Sequence, residues 1–235
     1  VEPFGARVLF VHAHPDDESI ATGGTIALLA GAGVDVTVLT CTRGELGEIV
    51  APDLADADLV AVREREIADA LAVLGGPRHR WLGEGRRRYT DSGMQWGADG
   101  RAEPTAGVAA SAFTAAPIAE ALDDLLAVVA DVRPSTIVSY DALGGYGHPD
   151  HVRAEEVARA AADAAGLPFI AIESPGAVLG EAGERSFAVD VSAVLDRKRS
   201  ALAVYRSQLV VERSRFAGAN GEWEPITSVE KFRVR

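Results

Sequence analysis

The stretch Val8-Leu-Phe-Val-His-Ala-His-Pro-Asp-Asp-Glu-Ser19 decides how this chain is read. A short apolar run breaks off into two histidines and three carboxylates, a density of polar and ionisable groups that a core does not carry at a strand end. A second stretch repeats the arrangement. The β-type run Thr136-Ile-Val-Ser-Tyr140 leads into Gly144-Gly-Tyr-Gly-His-Pro-Asp-His151, so His-Pro-Asp occurs twice, each time just beyond a strand.

Working outward from these two stretches, periodicity predicts strands over 7–13, 34–40, 78–82, 136–140, 169–172 and 186–191. It places helices over 19–32, 59–74, 117–132, 150–165 and 192–207. A last strand, over 229–234, is expected at a sheet edge. Alternation of strand and helix points to an α/β fold, a single domain over residues 1–235 with a mostly parallel, Rossmann-like sheet and helices on both faces. With the first five strands in the order 3-2-1-4-5, strands one and four are neighbours at the point where strand order reverses. Ligands bind at that point, beyond the carboxyl ends of the strands. Both His-Pro-Asp loops then share one crevice. The segment 83–116 has no clear periodicity and reads as a mobile rim over it.

Composition narrows the function. At 235 residues, 48% hydrophobic and 25% charged, the chain has the makings of an ordinary globular core. A net charge of −12 argues against nucleic acid or an anionic membrane as partner. No apolar run reaches the ~20 residues of a membrane span, and the N-terminal residues lack the layout of a signal peptide. The lone Cys41 fits a reducing cytoplasm and reads as a buried core residue. The sequence is also compatible with a homo-oligomer.

A catalytic zinc site needs about three nitrogen or carboxylate ligands and one open position. His14 and Asp17 can supply two from a single turn, and a histidine of the second cluster can complete the set. The competing reading makes Asp16 or Asp17 a helix cap and the histidines satisfied loop residues. Two such clusters at neighbouring strand ends favour the metal.

Together, His14-Pro-Asp-Asp-Glu18, Thr42-Arg-Gly-Glu45, Arg63, Asp91-Ser-Gly-Met94, Tyr140-Asp141, Gly147-His-Pro-Asp-His151 and Tyr205-Arg-Ser-Gln208 resemble the PIG-L/LmbE-like zinc deacetylases over nearly the whole chain. Within that family the likeness is to the actinobacterial branch of mycothiol metabolism, its deacetylase and its conjugate amidase. The resemblance implies a metal held by His14, Asp17 and His151, zinc in the first instance, with Fe2+ or Co2+ also suited to such ligands. It implies Asp16 as general base, His148 as the group serving the oxyanion or the leaving amine, and Tyr146 as a donor to the carbonyl. Arg63 and Asp91 fall on substrate-binding positions. Asp150 is expected to orient His148, and Glu18 and Glu45 to support the metal loop. The implied substrate is a small N-acetylated, N-acetylglucosamine-like sugar, with a larger thiol-sugar conjugate or a natural-product sugar as alternatives. A metal-bearing binding protein without turnover is the reading from another class. Arg86, Arg87 and Arg88 read as a solvated loop, and His79 as structural or exposed.

Overall fold

The computed structural model describes residues 3–98, 100–175 and 185–234. Strand β1 (Arg7–His12) is followed by two short helices, α1 (Asp17–Ala21) and α2 (Gly23–Gly31), and by β2 (Asp35–Thr40). Helix α3 (Leu59–Val73) leads to β3 (Arg78–Trp81), and a small hairpin, β4 (Gln95–Trp96) and β5 (Ala102–Glu103), precedes α4 (Ile118–Val132). Then come β6 (Thr136–Tyr140), α5 (Pro149–Ala165), β7 (Phe169–Ile172), β8 (Arg185–Asp190) and α6 (Leu195–Leu202). Three short strands, β9 (Val210–Val211), β10 (Arg215–Ala217) and β11 (Trp223–Pro225), form a separate antiparallel sheet before β12 (Val229–Val234).

The main sheet runs β3-β2-β1-β6-β7-β12-β8. Its first five strands are parallel and have the expected 3-2-1-4-5 order. Side chains alternate across β1 because successive Cβ atoms point to opposite faces. Val8 and Phe10 pack with α2, α3 and α6 on one face, and Leu9 and Val11 pack with α4 and α5 on the other. On α5 the stripe of Ala154, Ala158, Ala161 and Ala162 lets the helix lie close against the sheet. Among the described residues, no helix is long and apolar enough to cross a membrane.

Three expectations need correction. Strand β12 is not at the edge: it inserts antiparallel between β7 and β8. The reason lies in its alternate residues. Phe232 is fully buried against Phe4 and Phe187, and buried Glu230 accepts the N–H groups of Gly24 and Thr25 and the Lys198 ammonium at 2.7 Å. That carboxylate also explains the second correction, since the helix expected over 19–32 is two helices. The first stops at Thr22, and the second restarts at Gly23-Gly24 with Glu230 on the buried N–H groups of its first turn, which have no partner within the helix. Gly24 is needed there because a Cβ would stand 2.5 Å from the Val191 Cβ. Third, 83–116 is not a free rim along its length. Tyr89 and Phe113 are buried, the Tyr89 hydroxyl donates to Asp124, and Thr90 pairs with Ala112. The β4–β5 strands carry the exposed Trp96 and are joined to the second His-Pro-Asp loop by the Ala102 N–H, which donates to the Tyr146 carbonyl.

Candidate metal centre

Because β1 and β6 pair in register, Phe10 beside Val138, the loops that leave their carboxyl ends emerge side by side. One brings His14, Asp16 and Asp17, and the other brings Tyr146, His148, Asp150 and His151. His148 sits at the N-terminus of α5, with Pro149 in the first helical turn. The imidazoles of His14, His148 and His151 are buried together, their centroids 4.5 to 5.4 Å apart.

Donor atoms of His14, His148 and His151 lie within 4.8 Å of one another, as do those of His14, Asp91 and Asp150. Asp17, expected as a ligand, lies between two of the histidines. Its Oδ2 is 3.3 Å from His14 Nδ1 and its Oδ1 is 3.3 Å from His151 Nε2. Tetrahedral zinc, with bonds of about 2.0–2.1 Å, has ligands separated by about 3.3 Å.

The protonation pattern tests the fit to a cation. His151 Nδ1 faces the Gly144 carbonyl at 3.2 Å and so carries a hydrogen, which in a neutral ring leaves Nε2 as a lone pair. That nitrogen is buried, faces a carboxylate and makes no hydrogen bond. His14 Nε2 lies 3.2 Å from Asp150 Oδ2, so in a neutral ring Nδ1 also turns a lone pair toward Asp17. Burial pulls the His14 pKa down, but Asp91, Asp150 and Asp17 outweigh it and hold the imidazole well above its ordinary value. For Asp17, burial acts to raise the pKa, yet His151 and His14 bring it well below the usual carboxylate range. The pocket is built for positive charge, which a proton on His14 or a metal ion supplies.

Asp16 has φ 103°, a left-handed conformation that is strained for any residue but glycine. Several contacts hold it there. Its N–H donates to Glu18 Oε2 at 3.1 Å, and Tyr205 steadies Glu18 from behind with a 2.6 Å hydrogen bond to Oε1. Arg63 donates to Asp16 Oδ2 at 3.1 Å and to the Pro15 carbonyl, while its other nitrogen bonds the Gly44 carbonyl and Gln208. Burial raises the Asp16 pKa to about 7 against the opposing pull of Arg63. Arg63, expected to bind substrate, makes these contacts within the protein. It is 3% exposed and directed into the protein, where it braces Asp16.

The expected pairing of Asp150 with His148 also changes. The Asp150 carboxylate accepts from the Ser92 N–H and hydroxyl and faces His14 Nε2, so it orients His14. Only the backbone N–H of Asp150 reaches His148, at Nδ1, which puts the His148 hydrogen on Nε2. Burial, with His14 and His151 nearby, lowers the His148 pKa to about 2, so this ring is a neutral donor. Tyr146 is at the mouth, 45% exposed, with its ring 5.2 Å from that of His151 and 5.8 Å from that of Trp96. Asp91 is buried beside His14, its Oδ1 3.7 Å from Nε2, with the Gly93 and Leu46 N–H groups on its oxygens.

Glu45 takes the Asp91 N–H and pairs with Arg88, which ties the 42–48 loop to 88–93. Arg86 and Arg87 pair with Asp124 and Glu120, away from any phosphate-binding arrangement, and His79 is hydrogen-bonded to Thr40. Cys41 is buried and burial pushes its thiol pKa up, as suits a core residue. Sequence reasoning gave no role to three residues that matter here: Ser92 behind Asp150, Tyr205 behind Glu18, and Tyr140, whose hydroxyl donates to Asp17 Oδ2 at 2.8 Å. Each belongs to a motif quoted above, and that was the only signal available.

The family described as PIG-L: GlcNAc-PI de-N-acetylase matches residues 9–162. The 1D-myo-inositol 2-acetamido-2-deoxy-alpha-D-glucopyranoside deacetylase of Saccharomonospora viridis is 40% identical over 258 residues, covering 96% of this chain and 93% of that protein. The protein of the same name from Nocardioides sp. is 49% identical over 171 residues, and this stretch covers 70% of the present chain and 56% of the relative. The chain thus spans little more than half the length of that second relative. A solved structure, a deacetylase–teicoplanin complex from teicoplanin biosynthesis, superposes with a TM-score of 0.68 at 22% identity and covers 97% of each chain, a likeness of fold. A family match across two thirds of the sequence, together with a relative aligned almost end to end, establishes that the chain belongs to the PIG-L family.

Proposed function

We propose that this chain is a metal-dependent hydrolase that removes the N-acetyl group from an N-acetylglucosamine-like sugar, with an inositol glycoside of the kind named for its relatives as the leading substrate. Residues 1–235 act as one catalytic unit in this reading, and the buried Cys41 suits a reducing cytoplasm. The observation that carries it is the pair of histidine nitrogens facing Asp17 at 3.3 Å, one of them buried without a hydrogen-bond partner. The unpartnered His151 Nε2, as a lone pair, repels that carboxylate unless a cation lies between them.

His14, Asp17 and His151 would hold the metal, zinc being the ion these donors suit, and it would supply Lewis acidity at the scissile amide. The protein performs the remaining steps. Asp16, with a pKa of about 7, removes the proton from the attacking water, and its braced backbone keeps the carboxylate aimed. His148 directs its Nε2 hydrogen to the developing oxyanion or the leaving nitrogen, and the Tyr146 phenol donates to the carbonyl oxygen from the mouth. Asp91 and the 42–48 loop line the side where sugar hydroxyls would lie.

The purified, metal-loaded protein should be offered N-acetylglucosaminyl-inositol, free N-acetylglucosamine and an N-acetyl thiol-sugar conjugate, with release of free amine as the readout. We expect chelator-sensitive amine release, greatest with the inositol glycoside. Release from none of the three would end this reading, and preference for the conjugate would move the chain to the amidase branch.

A further inference from the structure

We infer that Tyr140 is a positioning residue of the metal centre: its hydroxyl occupies Asp17 Oδ2, so that Oδ1 is the oxygen left for the ion, while its ring backs His151. The inference rests on the metal-dependent reading above. Tyr140 ends β6 and is 4% exposed. Its oxygen accepts the Ala13 N–H at 3.0 Å and donates to Asp17 Oδ2 at 2.8 Å. The same Oδ2 accepts the His14 N–H at 2.9 Å. Two donors therefore occupy Oδ2, which also lies 3.3 Å from His14 Nδ1, while Oδ1 takes neither and faces His151 Nε2. Meanwhile the Tyr140 ring lies parallel to that of His151, with centroids 4.3 Å apart and planes within 12°. The buried His12 ring also meets the Tyr140 ring edge-on, with centroids 5.6 Å apart.

One side chain thus touches an expected ligand from each loop, along with the backbone of the loop that carries His14. In a tyrosine serving only as core filler, any backbone carbonyl would satisfy the hydroxyl hydrogen. Here the hydroxyl hydrogen goes to a carboxylate, the stronger, charge-assisted bond. Groups that orient metal ligands in this way are worth roughly 10–100-fold in metal affinity when removed.

The test compares wild type, Tyr140→Phe and Tyr140→Leu as metal-free proteins titrated with Co2+, following visible absorption, and with zinc in competition with a chelator. Tyr140→Phe keeps the ring and its packing, so its far-UV circular dichroism should match wild type. We expect its metal affinity to fall roughly 10–100-fold. The cobalt absorption should also weaken, because a freed Oδ2 can join the ion and raise its coordination number. Tyr140→Leu, which loses the ring as well, should bind still less tightly. Wild-type affinity and an unchanged cobalt spectrum in Tyr140→Phe would overturn the assignment, and so would a variant that melts earlier without metal yet binds cobalt normally. Failure of the wild type to take up either metal would instead defeat the metal-dependent reading itself.

Discussion

Arg63 Nη2 lies 3.1 Å from Asp16 Oδ2 in a pocket where both side chains are almost closed to solvent, so the carboxylate read as the base has a fixed cation beside it. Burial drives the Asp16 pKa up to about 7, and Arg63 is the largest influence pulling it down. Removing the guanidinium must then raise it further and deplete the carboxylate form at neutral pH. Arg63→Met should move the acid limb of kcat/KM upward, with a loss at pH 7 of roughly five-fold for the first pH unit moved and roughly ten-fold for each unit beyond it, and recovery at alkaline pH. Arg63→Lys, which keeps the charge, should move it less. An acid limb at the same pH in Arg63→Met would remove Arg63 as the tuning group.

Metal uptake should release a proton. The His14 pKa is held well above its usual value by Asp91, Asp150 and Asp17, so at pH 7 the metal-free ring is protonated, and a ligand must give up that proton. Metal affinity should therefore rise with pH up to the His14 pKa. Calorimetric titration with zinc at pH 7, in buffers of different ionisation enthalpy, should show release of about one proton. In His14→Ala both the release and most of the affinity should disappear. Zinc binding with no proton released would mean that His14 is neutral beforehand.

Asp16→Asn should leave metal content intact while lowering kcat by roughly 10²–10⁴-fold, since an amide cannot accept the proton. His148→Ala should likewise reduce turnover more than metal binding. Its neutral Nε2–H donor would be lost from a site where such donors contribute strongly. Metal analysis and steady-state kinetics on the same preparations check both, and near-normal kcat in Asp16→Asn would transfer the base role to another group.

The parts of this site that were legible in the sequence are local. Apolar runs of strand length followed at once by His-Pro-Asp locate the two loops, and parallel-sheet topology brings them together. What could not be read is pairing across distance. Asp150 is two residues from His148, yet its carboxylate turns to His14 because Ser92 holds it there. Arg63 looks like a charged helix-face residue, but the carbonyls of Pro15 and Gly44 draw it inward. The break at Thr22 depends on Glu230, a residue 206 positions away from its partner Gly24, and no periodicity in 19–32 announces it.

Lys198 and Glu230 offer a stability test well away from the chemistry. Both side chains are at most 2% exposed and their charged atoms are 2.7 Å apart. Lys198→Met would leave a buried carboxylate with only the helix N–H groups of Gly24 and Thr25, and breaking such a pair costs about 3–5 kcal/mol. Urea unfolding should show this loss, and adding Glu230→Gln should restore part of it. A change below ~1 kcal/mol for Lys198→Met would mean that the helix N-terminus alone satisfies Glu230.

Ser92 tests whether the 83–116 segment supports the metal centre or merely lies near it. Its hydroxyl donates to Asp150 Oδ1 and accepts from the N–H and hydroxyl of Thr114, so it links the end of that segment to the carboxylate that orients His14. Ser92→Ala leaves the Thr114 N–H without its acceptor, at a cost of about 1–3 kcal/mol in stability. It also frees the Asp150 carboxylate to rotate, which should weaken zinc binding by roughly 10-fold or more. The two effects separate experimentally, because chelator competition on the folded protein reports the metal while denaturant unfolding without metal reports the fold. Loss of stability with unchanged zinc affinity would reduce Ser92 to a packing residue and leave Asp150 held by its remaining contacts.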